Sequence, residues 1–435
     1  MSNVVYLHGQ PAPVAQFLRI GNSGYRPLEQ FLHAGQLPYR RFVVDAGVFK
    51  RQTDLISALQ QDGRELVLDT DVAQLSVVGR YQGVAKGAPW ADPNGMLTPT
   101  HFRIGNNEFD LTGKISRFVV QNRIKRVLAP AHLLSGSTDG WFSIDRAACE
   151  DLRRELDRSG GQDVAIDYPL LTSSASFNNV AQRREFVKAV GSLPIDSIWL
   201  WISNFGSNAT AAAVRKYISA ARDFHPLGKP VISDCVGGLS ASAILAFGGA
   251  GGIVHGMASQ EQFKTSSWHK APKPPDPDEK RGGNDRFFLL PGIDRLLKPE
   301  QVNMLMEVAG GRRLLSCNDP RCCANGFEDT KRDPKGHYLP QRALQCDTIS
   351  KIPEPRRAHD FVTNTLAGAD RLARQAAKLR VADSSVLDLL ERNASRIDRL
   401  RAVLENLQET EENSTRSLAF PPPTAANMVR KRDRN

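Results

Sequence analysis

The sequence predicts an α/β fold, a (β/α)8 barrel with an appended Cys/His segment and a C-terminal helical hairpin, on three observations. First, Lys229–Met257, KPVISDCVGGLSASAILAFGGAGGIVHGM, reads as one complete strand–turn–helix–strand unit. PVISDC is a β-branched run, GGLSAS turns the chain with Ser240 or Ser242 placed to cap a helix, and Gly248 and Gly249 stop that helix. Second, short apolar runs alternate with helical patterns of roughly 10–20 residues, as parallel strands buried on both faces require. Third, the runs are evenly spaced and no GxGxxG opens the chain, which favours a closed barrel over an open doubly wound sheet.

Eight runs supply the strands. FLRIG is followed by the short helix RPLEQFLHAG. RRFVVDAGVFK carries Asp45 at its end, and TDLISALQQDG has helical spacing and a Gly stop. RELVLDTDVAQLS ends in Asp69 and Asp71. GRYQGVAKGAPWADPNGMLTPTHF, rich in Gly, Pro and aromatics, reads as a loop insertion before the amphipathic DLTGKISRFVVQNRIKR. RVLAPAHLLSG ends near His132, and SIDRAACEDLRRELDRSGG is a helix capped by Ser143 or Asp145. DVAIDYPLL presents Asp167 and Tyr168, and SIWLWISNFG ends at Ser203 and Asn204. The unit described first completes the set, with Asp234 after one strand and His255 in the last.

The barrel is thus assigned to residues 1–258. Residues 259–350 hold a Pro-rich charged loop, read as mobile, and the Cys/His segment. Within them FFLLPGID, KPEQVNMLMEVAG and RRLLSC read as one more β–α–β-like unit. A helical hairpin takes 351–410, and 411–435 read as a disordered basic tail. The helix Ser385–Leu407 places Val386, Leu390, Asn393, Ile397, Leu400, Leu404 and Leu407 on a 3–4 repeat, which suits a hairpin or a modest homodimer seam.

Composition narrows the function classes. The net charge of +10 is spread along the chain, so it fits a soluble basic surface and nucleic-acid binding equally well. No membrane span or signal peptide is visible, so a cytoplasmic protein is expected, and six cysteines are too few to staple 435 residues. No predicted barrel strand holds an interior lysine, which argues against Schiff-base chemistry.

Barrel active sites lie at the C-terminal ends of the strands. Those ends supply Asp69, Asp71, Asp167, Asp234 and His255 as catalytic candidates. Asp45, His132, Tyr168, Asn204, Gly237 and Gly238 are substrate-binding candidates. A lone strand-end acid is often a helix cap, but so many together point to function. Carboxylates sharing a pocket push their pKa values apart, giving one ionised group and one acid. Asp69 and Asp71 flank one residue, so on a strand both face one side. The Gly237–Ser240 turn before a helix would suit a phosphate, or simply tight packing. Cys317–Cys346 contains CxxxxCC, then His337, then Cys346, in a segment poor in apolar residues. A structural zinc held by Cys317, Cys322, His337 and Cys346, with Cys323 as the alternative to Cys322, would explain how it folds.

A barrel followed by a Cys/His segment and basic helices resembles the tRNA-guanine transglycosylase superfamily. In layout the resemblance covers roughly residues 14–380. Its specific part is the region around Lys229–His337, where SDCVGG and the cysteine cluster hold the matching places. The DSGGFQ-type motif is absent, leaving Asp69 or Asp71 for that aspartate, and His255 stands near where the family carries its nucleophilic aspartate. The resemblance implies exchange of a nucleobase in tRNA or DNA, with a free nucleobase as second substrate and the target base flipped from its stack. Two other classes fit the residues alone: a metal-dependent lyase or hydrolase of a small phosphorylated substrate, and a non-catalytic nucleic-acid-binding or assembly protein.

Overall fold

The computed structural model describes residues 13–22, 25–103, 109–257, 260–271, 287–290, 292–410 and 415–423. Parts of the Pro-rich loop and of the basic tail fall outside them. Nine strands make one sheet: β1 (Ala15–Arg19), β2 (Arg41–Asp45), β3 (Glu65–Asp69), β4 (Arg126–Leu128), β5 (Leu133–Leu134), β6 (Ala165–Ser173), β7 (Ser197–Ser203), β8 (Val231–Ser233) and β9 (Gly252–Gly256). The order β4-β3-β2-β1-β9-β8-β7-β6, with β4 also pairing β6, closes an eight-stranded parallel barrel. β5 is a short addition alongside β6.

Side-chain alternation along these strands divides the core in two. One set faces the helices: Leu18, Phe42, Leu68, Ile166 and Ile198 belong to the outer core. The other set faces inward. Phe17, Val43, Val67, Leu128, Trp199, Ile232 and Val254 form a separate cluster. Phe17 and Trp199 stand on strands that are not neighbours, yet their rings meet at 5.0 Å, which places them across the barrel axis.

Below this layer, at the N-terminal end, Arg41 and Arg126 bind Glu65 at 2.8 and 3.0 Å, and Arg126 reaches Asp167 at 2.6 Å. The tail closes this end, where disorder was predicted. Ser417 N–H donates to the Gly248 carbonyl at 3.0 Å, and Phe420 is 3% exposed. Its ring meets Phe17 edge-on at 5.1 Å and lies under the guanidinium groups of Arg41 and Arg126 at 5.0 and 4.5 Å.

Two further expectations change. Phe288–Leu290 (β10) pairs antiparallel with Arg295–Leu297 (β11) as a hairpin apart from the barrel sheet, and the RRLL of RRLLSC lies in the short helix Gly311–Leu315 rather than a strand. The stripe of the long helix Ser384–Thr410 is covered within the chain. All seven repeat residues are buried, and the helix packs on Ala367–Ala376 and on the barrel helix Ala211–Arg222. That stripe leaves no open seam for a homodimer.

Candidate active site at the barrel mouth

One layer above Phe17, Val43, Val67, Trp199 and Ile232, the same inward alternation brings Arg19, Asp45, Asp69, Trp201 and Asp234 to the C-terminal mouth. Arg19 organises this layer. Its guanidinium bonds Asp45 at 2.9 Å, Asp69 at 2.6 Å and Asp234 at 2.7 Å, and it lies 4.5 Å from the centre of the Trp201 ring. Asp71 joins from a left-handed position (φ 56°), with its N–H on Asp69 Oδ1 at 3.0 Å and its Oδ2 accepting from Gly47 N at 2.7 Å.

Three carboxylates therefore share one guanidinium, with Asp71 beside them. Burial pushes Asp45 up to about 6, with Arg19 opposing and Asp69 reinforcing the shift. Burial also raises Asp71 well above the usual range, helped by Asp45 and Asp69, and raises Asp234 against the pull of Arg19. For Arg19, burial disfavours the charge, but the combined pull of Asp234, Asp69 and Asp45 outweighs it and its pKa rises. The layer thus combines a fixed cation with carboxyls that hold protons more tightly than free ones.

An aromatic cover lies over this layer: Trp201 packs on Phe263 at 5.4 Å, and Phe263 on Trp268 at 5.2 Å. Asn204, exposed and left-handed (φ 64°), ties the cover down through its N–H on the Phe263 carbonyl at 2.7 Å. Asp45 and Asp69 keep 9% and 7% exposure. Two residues beyond Leu171 and Trp201, Ser173 and Ser203 line a cavity of 480 Å³. His132 also lines it. Its Nδ1 lies 2.5 Å from Asp145 Oδ1, its backbone N–H donates to Asp145 Oδ2 at 3.0 Å, and its ring stacks on Trp141 at 3.8 Å. Burial raises the Asp145 carboxyl, and the His132 imidazole pulls against it.

Several expected site residues lie elsewhere. Asp167 pairs with Leu128 and bonds Arg126 and Ser197 in the N-terminal ring, because β6 runs on for six residues beyond it to Ser173. Tyr168, the next residue, faces the helices in the outer core. In β9, Val254 points inward and so His255 points outward. It contacts Gln16 at 3.1 Å and Tyr39 and Tyr338 at 3.4 Å each, far from a mouth role.

Gly237 and Gly238 remain at the mouth, but the helix start that would have held a phosphate is filled by the protein itself. Leu239 N–H donates to Asp294 Oδ2 at 2.7 Å. A Cβ on Gly237 would run into the Glu261 carboxylate, and one on Gly238, already at φ 63°, into Asp294. Arg342 joins both acids, meeting Glu261 at 2.7 and 2.9 Å and also bonding Asp294.

The Cys/His segment brings together Cys317, Cys322, Cys323 and His337, whose ligand atoms all lie within 4.8 Å of one another. Cys323 Sγ is 3.3 Å from His337 Nδ1, and both adjacent cysteines take part because a turn over Asp319–Cys323 aims them inward. His337 Nε2 sits 3.0 Å from the Leu289 carbonyl, which fixes Nδ1 as the free donor atom. Cys346 is not in the group; it is buried in the outer core, where burial pushes its thiol up to about 12.

Arg19 and the Glu261–Arg342–Asp294 network were not singled out from the sequence, and Asp145 was read there only as a helix cap. Asp145 did carry a signal. It shares the stripe of Phe142, Cys149, Leu152 and Leu156 on the helix Gly140–Arg158, and Asp139 is the residue that caps that helix.

No family model matches the chain, and no curated protein matches it. Among solved structures, the chain is similar to a type I 3-dehydroquinate dehydratase from Clostridium difficile (9% identity, 62% of this chain and 93% of that one, TM-score 0.36). It is similar also to a chitinase from Pseudoalteromonas aurantia (16%, 59% and 96%, 0.35) and a β-mannanase from Bacteroides ovatus (10%, 61% and 85%, 0.36). At these identities and scores, nothing about chemistry passes from them to this chain.

Proposed function

We propose that the chain is an enzyme whose reaction takes place at the barrel mouth, at a carbon that gathers positive charge, and that it exchanges a nucleobase at a glycosidic bond in tRNA or DNA. One observation carries the reading: three carboxylates from three strand ends gather on the single guanidinium of Arg19, with Asp71 behind Asp69 as a fourth acid. A layer so rich in acid favours a cationic sugar carbon, and carboxyls whose pKa values stand apart provide both a charge-stabilising carboxylate and an acid. Asp69 and Asp234 are the groups assigned to the reacting carbon, with Asp45 and Asp71 holding protons beside them.

Two features support the finer reading. The Cys317–Cys322–Cys323–His337 group offers three thiolates and an imidazole, a closed donor set suited to a structural zinc, and it follows the last barrel strand as the resemblance requires. The net charge of +10 suits a polynucleotide partner. The reading of a phosphorylated small substrate loses its support, since Asp294 holds the helix start at Leu239.

The test is incorporation of labelled guanine into tRNA and into duplex DNA by the full chain. Exchange is expected, with Asp69→Asn and Asp234→Asn lowering turnover by ~10²–10⁴ while polynucleotide binding persists. Salt-sensitive binding with no exchange on either polymer would make the chain a binding protein on a barrel scaffold.

A further inference from the structure

The cavity beside the carboxylate layer has a chemistry of its own. Asp145 uses one carboxylate oxygen on the His132 backbone N–H and the other on His132 Nδ1, so the imidazole is pinned at two points. Trp141 covers one ring face at a 14° interplanar angle, and Phe102 meets the ring edge-on at 4.9 Å. An ionised Asp145 requires the hydrogen on Nδ1, which leaves the lone pair on Nε2. Nε2 is buried and has no hydrogen-bond partner among the described residues, in a side chain that is 2% exposed and lines the cavity.

The lining also selects by charge. No lysine or arginine is among its described residues. Its one carboxylate, Asp139, is taken up by Ser135 N–H at 2.9 Å, Ser135 Oγ at 2.8 Å and Trp141 N–H at 3.0 Å. Its hydroxyls, Ser173, Ser203 and Thr265, are partly engaged, Ser203 Oγ with Thr265 Oγ1 at 2.5 Å and Ser173 Oγ with Ser176 Oγ at 3.0 Å. They keep further hydrogen-bonding capacity for a ligand, set among apolar side chains such as Val77 and Leu134. A phosphate would find no lysine or arginine, only the imidazoles of His132 and His269, whereas an uncharged ring with hydroxyl or amide edges finds both surfaces it needs.

We propose that this cavity is the chamber for an uncharged nucleoside unit, and that His132, positioned by Asp145, is the acid–base group that serves it. The reaction assigned to the pair rests on the base-exchange reading; the ligand class rests on the cavity alone. In the exchange, Nε2 carries a proton taken up from water, and the bond from the sugar carbon to the departing base breaks as this imidazolium Nε2–H gives its proton to that base, which leaves neutral. The incoming base then bonds the same carbon and returns its N–H proton to Nε2. Asp145 balances the imidazolium charge before the first transfer and after the second, the mouth carboxylates face the cationic sugar carbon in between, and no electrons are gained or lost overall.

The experiment is titration of the full chain, ¹⁵N-labelled at histidine, with guanosine and with guanosine 5′-monophosphate, observed by NMR. Guanosine should move the His132 Nε2 signal while the Nδ1 proton stays bound to Asp145, and the monophosphate should bind at least ~10-fold more weakly. His132→Asn, which keeps an N–H for Asp145 but lacks Nε2, should bind guanosine within a few-fold of the parent and lose ~10²-fold or more of the guanine exchange. Guanosine that leaves His132 unmoved, or a monophosphate that binds as tightly, overturns the chamber. Exchange that survives in His132→Asn overturns the dyad and leaves the base-exchange reading standing. Binding as expected in a parent protein that performs no exchange overturns the base-exchange reading and leaves the chamber.

Discussion

The two ends of the barrel are built from the same kinds of residue and balanced differently. At the N-terminal end, Arg41 and Arg126 face Glu65 and Asp167, two cations to two anions, and Phe420 seals them from water. At the mouth, Arg19 alone among the described residues faces Asp45, Asp69 and Asp234, with Asp71 behind them. A balanced, sealed ring satisfies its charges and stops there. Burial raises Asp167 in the ring to about 6 just as it raises Asp45 at the mouth, so the ends differ in charge balance and access. The mouth holds more acid than Arg19 balances and keeps Asp45 and Asp69 partly exposed, and an accessible excess of acid is what proton transfer needs.

The largest effect should come from removing Arg19, the cation on which the mouth carboxylates converge. Arg19→Met leaves buried carboxylates unpaired and should cost about 3–5 kcal/mol at pH 7. The deficit should shrink at pH 5 as those carboxyls take up protons, which urea unfolding at the two pH values measures. A deficit independent of pH would show that Arg19 acts through packing.

At the other end, Phe420→Ala should cost about 3 kcal/mol by opening a cavity against Phe17, with turnover of the folded fraction unchanged. Thermal unfolding and an exchange assay on one sample would separate the two effects, and lost turnover would mean that the ends are coupled.

Asp45→Asn should have a smaller effect, of opposite sign. The folded-state pKa of Asp45 lies above its unfolded value. Its contribution to stability is therefore present below about pH 4 and lost as the pH climbs through about 6. The amide escapes that loss, so the variant should gain about 1–3 kcal/mol over the parent at pH 7 and show a flatter profile between pH 4 and 6. A parent whose stability rises over that interval would contradict the mouth's charge imbalance.

The Cys/His group gives the smallest contrast in sequence terms. Cys317→Ser should abolish the one zinc per chain expected by metal analysis, and Cys346→Ser should leave it intact. Equal zinc loss in both would return Cys346 to the ligand set.

The barrel was legible because its strands are short apolar runs, most of them ending in a polar residue, and all eight runs became strands. What was not legible was phase and length. YPLL was taken as the end of a strand that continues to Ser173, so Asp167 was placed at the wrong end. His255 was placed by proximity to the mouth, although a shift of one residue reverses a strand side chain. Arg19 was hidden inside a strand, since nothing local in FLRIG reveals that three acids from three other strands converge on it. Phe420 was the one aromatic in a polar tail, and that isolation was its signal.

The central claim is that chemistry belongs to the mouth and structure to the opposite end. Its most direct test is guanine exchange by Asp69→Asn beside Asp167→Asn, two isosteric changes in buried, arginine-bound carboxylates. The account predicts a turnover loss of ~10²–10⁴ for Asp69→Asn and a change within about threefold per folded molecule for Asp167→Asn. Equal losses, or a larger loss for Asp167→Asn, would contradict it.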